Sequence, residues 1–216
     1  MKSKDVLFVL LLGTIWGSFE ATFGEVMYAN HVRYTSVPLC VFAFAVLTFA
    51  RAYRPMVGLA TLLAGVAMCY KAAGMLLSGN DIFVCHFMGI ATVGVAYDLM
   101  HLAWRQKLDP LFAVSAMYLS YGMFAALMTW VIRYHYWAEV GLPKVLKHTF
   151  VSGSMAAIAA AVVVPLCARA ARKLRSRQAW PFVARFGRVA TGAVTLALVG
   201  LWALGIGAYQ LMALGD

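Results

Sequence analysis

Residues 6–27 read VLFVLLLGTIWGSFEATFGEVM, and only Glu20 and Glu25 are charged in that run. An α-helix rises 1.5 Å per residue, and the hydrocarbon layer of a bilayer is about 30 Å thick, so a crossing needs about 20 mostly apolar residues. This stretch is long enough. The opening Met1-Lys2-Ser3-Lys4-Asp5 has the basic character of a signal peptide. The apolar run is too long for one, however, and Glu20 and Glu25 stand where a small-residue cleavage motif would be needed. We expect a retained first helix.

Reading outward, further apolar runs fall at about 35–53, 56–77, 82–104, 111–133, 149–170 and 187–212. Arg51, Arg54 and Pro55 separate the second from the third. Ser78-Gly79-Asn80-Asp81 makes a turn, and Arg105, Lys107, Asp109 and Pro110 close the fourth. The whole chain of 216 residues is 63% hydrophobic and 12% charged, about half the charge of a soluble domain. The expected fold is all-α: a polytopic transmembrane helical bundle of about seven spans, six being the smaller count, in one integral membrane domain over 1–216. No repeat or low-complexity linker interrupts it, and the only sizeable loops are 134–148 and 171–186.

The charges set an orientation. Thirteen Lys and Arg side chains fall on one side, including the cluster Arg169, Arg172, Lys173, Arg175, Arg177, Arg185 and Arg188, against Arg33, Arg133, Lys144 and Lys147 on the other. Basic loops stay in the cytoplasm, so the N-terminus is expected inside and the C-terminus outside. The net charge of +10 then belongs to loops that meet anionic membrane lipids, and no nucleic-acid partner is expected.

Charge within a span is costly and marks candidate function. Glu20 and Lys71 lie about 14 and 15 residues into spans of the same direction, hence at one depth in the outer half, where they are able to pair. Asp98 lies near the inner end of the fourth span with His101 one turn later. Trp16, Glu20, Lys71 and Asp98 are the substrate-binding candidates. Gly13, Gly17 and Ala21 recur every four residues, a spacing that lets another helix approach closely. Internal packing and a docking face for a partner subunit are both open.

Four of five histidines, His31, His86, His135 and His148, map to the outer side, and Cys85 adjoins His86. Imidazole and thiolate ligate transition metals, so these five residues form the candidate metal set. Haem, a corrinoid or a transition metal are the cofactors that set leaves open. His86 and His101, about 22 Å apart along one helix, would suit two haems, with Met100 beside the inner one. The four cysteines form no C-x-x-C pair, and Cys40, Cys69 and Cys167 read as small hydrophobes. H-E-x-x-H, G-x-S-x-G and Walker motifs are absent, so no catalytic residue is assigned.

The stretch Gly13-Thr14-Ile15-Trp16-Gly17-Ser18-Phe19-Glu20-Ala21-Thr22-Phe23-Gly24 resembles the first helix of small bacterial membrane proteins similar to the substrate-binding (S) components of energy-coupling factor transporters, which show a W-G-x-x-E pattern followed by Gly. His31 after that helix, Lys71 late in the third segment and Asp98 in the fourth extend the resemblance over roughly the first 100 residues. Val84-Cys85-His86 departs from the Gly-Pro-like turn that opens the family's fourth helix, and the family's spans number six. The resemblance implies a bacterial inner-membrane subunit that takes up a micronutrient, or a metal-containing cofactor, from the outer side. It would dock a coupling subunit through Gly13, Gly17 and Ala21, and that subunit would carry two ATPases. The alternatives are a haem- or metal-binding membrane subunit of a redox complex, a membrane enzyme acting on a lipid or isoprenoid, and a ligand-free accessory subunit.

Overall fold

The computed structural model describes residues 3–77, 84–104 and 107–176, and the expected span at 187–212 lies outside them. The described residues are helical throughout apart from short turns. In chain order the helices are α1 (Ser3–Ala29), α2 (Ser36–Tyr53), α3 (Leu59–Leu77), α4 (Val84–Ala103) and α5 (Pro110–Ala126). The chain α5 begins continues as a π-helical turn, Leu127–Val131. Two short helices follow, α6 (His135–Val140) and α7 (Leu142–Lys147), then a second π turn, His148–Ser152, and α8 (Gly153–Ser176). Five segments are long and apolar enough to cross a membrane: Asp5–Tyr28, Ser36–Tyr53, Leu59–Leu76, Pro110–Val131 and Leu142–Ser176. The chain is therefore a multi-pass membrane protein. α4 has a span's length and packs between α3 and α5, but Asp98, His86 and His101 lower its apolarity.

Between lipid-facing helices, apolar side chains gain little by leaving lipid, so association relies on close packing. α1 and α3 show how close. A Cβ added at Gly13 would lie 2.6 Å from Val66 Cβ, and one at Gly17 would lie 2.6 Å from Tyr70 Cβ and 2.9 Å from Ala67 Cα. Ala21 is buried on the same stripe. The stripe is thus filled from within by α3, which corrects its expected role as a partner-docking face. As α1 advances from 13 to 17, α3 advances from 66 to 70, so the two helices run parallel. Thr14 Oγ1 donates to the Tyr70 hydroxyl across the seam (3.0 Å).

α4 repeats the device in antiparallel sense. Gly94 faces Ala64 and the backbone of Ala60, with a hypothetical Cβ at 2.6 and 2.9 Å. On α8, Ala156, Ala160, Val164, Ala168 and Ala171 are buried against α2 and α5, while Ile158, Val162 and Leu166 point outward. That is one apolar face for protein and one for lipid. Trp16, Phe44, Leu47, Tyr97, Phe112 and Met117 fill the middle.

Polar groups collect at the two ends of the bundle. At one end Asp5 pairs with Arg54. Arg51, nearly fully buried, lies 3.8 Å from Asp98. Asp98 Oδ2 also accepts from the backbone N–H and the hydroxyl of Thr61, both at 2.9 Å. It thereby caps the start of α3 from a neighbouring helix, where the helix dipole favours a carboxylate. Asp109 caps α5 more conventionally, accepting from Phe112 N–H at 2.8 Å with Pro110 following it.

The glycine seam gives a prediction. Gly17→Ala must push Tyr70 or the α3 backbone aside and should cost about 1–3 kcal/mol. Gly65→Ala, where nothing lies within 4 Å of the added carbon, should be neutral or stabilising by up to about 1 kcal/mol. Thermal unfolding of both variants in mild detergent checks the contrast.

Candidate functional site

The opposite end of the bundle holds a cavity of about 310 Å³. α1 contributes Glu20, Gly24 and Tyr28, and α3 contributes Lys71. α2 supplies Ser36, Leu39 and Cys40, with Thr35 just before it. α4 supplies Cys85, His86, Gly89, Ile90, Thr92 and Val93. α5 adds Ser120, Tyr121 and Phe124, and Trp137 and His148 come from the segment beyond. Apart from Thr35, in the turn before α2, every lining residue is helical, so the shape is set mainly by helix packing.

Lys71 is the buried charge on which this end is organised. Its side chain is 3% exposed and forms an ion pair with Glu25, one turn beyond Glu20 on α1. Its ammonium also lies 3.4 Å from the backbone carbonyl of Glu20. The expected depth match of Glu20 and Lys71 is therefore present, but the carboxylate that Lys71 engages belongs to Glu25. The Glu20 carboxylate accepts instead from the Trp16 indole N–H at 3.2 Å. Trp16 is fully buried and is not part of the cavity wall, so its role here is to orient Glu20. Asp98 is likewise removed from the expected substrate set, because it lies at the other end holding Thr61 and Arg51. Glu20 and Lys71 alone of the four line the cavity.

The expected metal ligands do not converge. Among the described residues no three His, Cys, Asp or Glu side chains are grouped as a metal site would require. His31 is exposed in the turn after α1, at a φ of 50°. His135 is 86% exposed and lies 3.4 Å from Glu139 on its own helix. Cys85, His86 and His148 do share the cavity, and Cys85 Sγ lies 4.0 Å from His86 Nδ1. His148 is boxed by aromatic rings, with centroids 4.9 Å from Tyr121, 5.4 Å from Phe124 and 5.1 Å from Trp137. His101, the inner residue of the two-haem reading, is buried against Phe112 at 6.1 Å, away from the cavity.

Sequence reasoning missed the aromatic half of the site. Tyr121 lies in an apolar run that carries no charge to mark it. Its hydroxyl donates to Ser36 at 3.3 Å, linking α5 to the start of α2. Trp137 reaches the cavity from the α6–α7 hairpin, which lies between the π turns at 127–131 and 148–152. Such turns recur at functional sites, but no single residue announces them. Glu25 was legible as a charge, though not as the partner of Lys71.

No family model, curated protein or solved structure matches this chain. The geometry of the cavity is therefore the basis for any functional reading.

The ion pair makes a prediction. Glu25→Gln strands the buried Lys71 ammonium and should cost about 3–5 kcal/mol. Adding Lys71→Met removes the stranded charge, so the double variant should be more stable than Glu25→Gln alone. A double-mutant cycle of unfolding in detergent gives the coupling energy.

Proposed function

We propose that this protein is the solute-binding subunit of a membrane uptake system, of the S-component type, and that its ligand occupies the cavity between α1, α2, α3, α4 and α5. The observation that carries the reading is a cavity of about 310 Å³ at one end of a membrane-spanning bundle, with apolar walls and a charged pair of helices, α1 and α3, on one side. A pocket with mostly apolar lining and a few placed polar groups is the usual form of a small-molecule site. Intramembrane charge facing such a pocket fits a solute path better than a purely structural role. The basic bias of the other end supports placing this one on the outer side of a bacterial inner membrane.

Under this reading the chain supplies recognition, while the coupling subunit and ATPases of such a system supply energy. Since Gly13, Gly17 and Ala21 are used internally, docking falls to another surface.

Gly89 offers the test. It lines the cavity, and an added Cβ meets only Phe124, at an ordinary 3.9 Å. Gly89→Leu should fill the cavity and leave the fold intact. Purified wild type, screened by thermal shift against water-soluble vitamins and cofactors, should be stabilised by at least one of them, and Gly89→Leu should lose that response. No response in the wild type, or an equal response in the variant, would exclude the cavity as a solute site.

A further inference from the structure

We infer that the cavity selects a small aromatic solute bearing a single positive charge, with the cationic atom at Glu20 and the ring among the aromatic side chains. This inference rests on the solute-binding reading above and goes further by naming the chemistry of the ligand.

Glu20 and Lys71 line the cavity, and Lys71 is already engaged by Glu25 and by the Glu20 carbonyl. That leaves two carboxylates against one ammonium. The Glu20 carboxylate has a neutral donor, the Trp16 indole, and no ion pair among the described residues. A carboxylate at the wall of a low-dielectric cavity attracts positive charge far more strongly than one in water. An anionic solute would meet that carboxylate and find Lys71 already occupied.

α2 presents Cys40 with Ser36, α4 presents Cys85 and His86, and α5 presents Ser120 and Tyr121. Tyr28 on α1 and His148 complete the titratable set beside Glu20 and Lys71, and none of these others is a fixed cation. On the hairpin, the Lys144 ammonium rests on Tyr136 (4.2 Å) and Trp137 (5.3 Å) and is not part of the lining.

Tyr28, Tyr121, Phe124 and Trp137 all line the cavity. Aromatic faces attract cations and stack with flat rings. The volume lies at the small end of the range for organic ligands, suited to one or two rings.

Three soluble probes share one ring and differ in charge: 1-methylnicotinamide is cationic, nicotinamide neutral and nicotinate anionic. Isothermal titration of the detergent-purified protein should show the cation binding roughly tenfold or more tighter than the neutral probe, the size expected when a desolvated cation gains a carboxylate and a ring face. Nicotinate should bind weakest. Glu20→Gln, which can still accept from Trp16, should bring the cation-to-neutral ratio close to one. The order of the three probes on the wild type tests the inference even if that variant misfolds. Equal affinity for cation and neutral probe, or preference for nicotinate, overturns charge selection while leaving the cavity a solute site. Failure of all three probes alongside a neutral or anionic hit in the thermal screen also overturns it. Silence in both assays removes the solute-binding reading as well.

Discussion

Tyr70 lies against Gly17 with no room for a methyl group between them, and much of the site follows from that contact. It holds α1 close against the parallel α3. Parallel helices in close contact keep their residues level along their length. Lys71, next in sequence to Tyr70, is therefore held level with the turn of α1 that carries Glu20 and Glu25. A bulkier seam would hold the helices apart and leave the ammonium to find its partners across a wider gap. The ion pair is thus a consequence of the glycines, although the glycines lie deeper in the bundle.

The two ends of the bundle solve a similar problem in different ways. At one end a buried cation, Arg51, is set beside a carboxylate that is also fixed by the α3 backbone. Asp98 is thereby held through Oδ2 by Thr61 and faces Arg51 through Oδ1, with Tyr97, His101 and Phe112 packed close by. At the other end the cation meets Glu25 and the Glu20 carbonyl, and the Glu20 residue lines the cavity. The first arrangement ties three helices together. The second leaves chemical potential for something that enters. Buried charge alone did not distinguish them; the neighbours of each charge did.

Much of the fold was legible from apolar run length, because a bilayer imposes one thickness on every crossing helix. The helix ends were also readable where chemistry marks them, as at Asp109-Pro110. The site was legible only in part. Glu20 and Lys71 stand out because charge is rare in a span, and their common depth follows from counting residues. Which carboxylate Lys71 meets depends on rotation about α1, and neighbours one turn apart differ too little for run length to resolve. The histidines misled for a related reason. Sharing a side of the membrane places groups within a slab, and a metal needs them within a few ångströms. Tyr121 and Trp137 were invisible because aromatic residues are common in spans and at their edges.

The two π turns that flank the α6–α7 hairpin carry a consequence of their own. A π turn accommodates one more residue than an α turn, and each residue advances an α-helix by about 100°. The hairpin's heading therefore depends on an extra residue on each side as well as on the positive-φ residues Arg133 and Gly141. Losing one residue from 127–131 would let that segment relax to regular α-helix and swing the hairpin by about a quarter turn. Trp137 would then leave the mouth of the cavity while the bundle below kept its packing. In this chain the phase of the backbone, counted in single residues, governs whether the site has a roof.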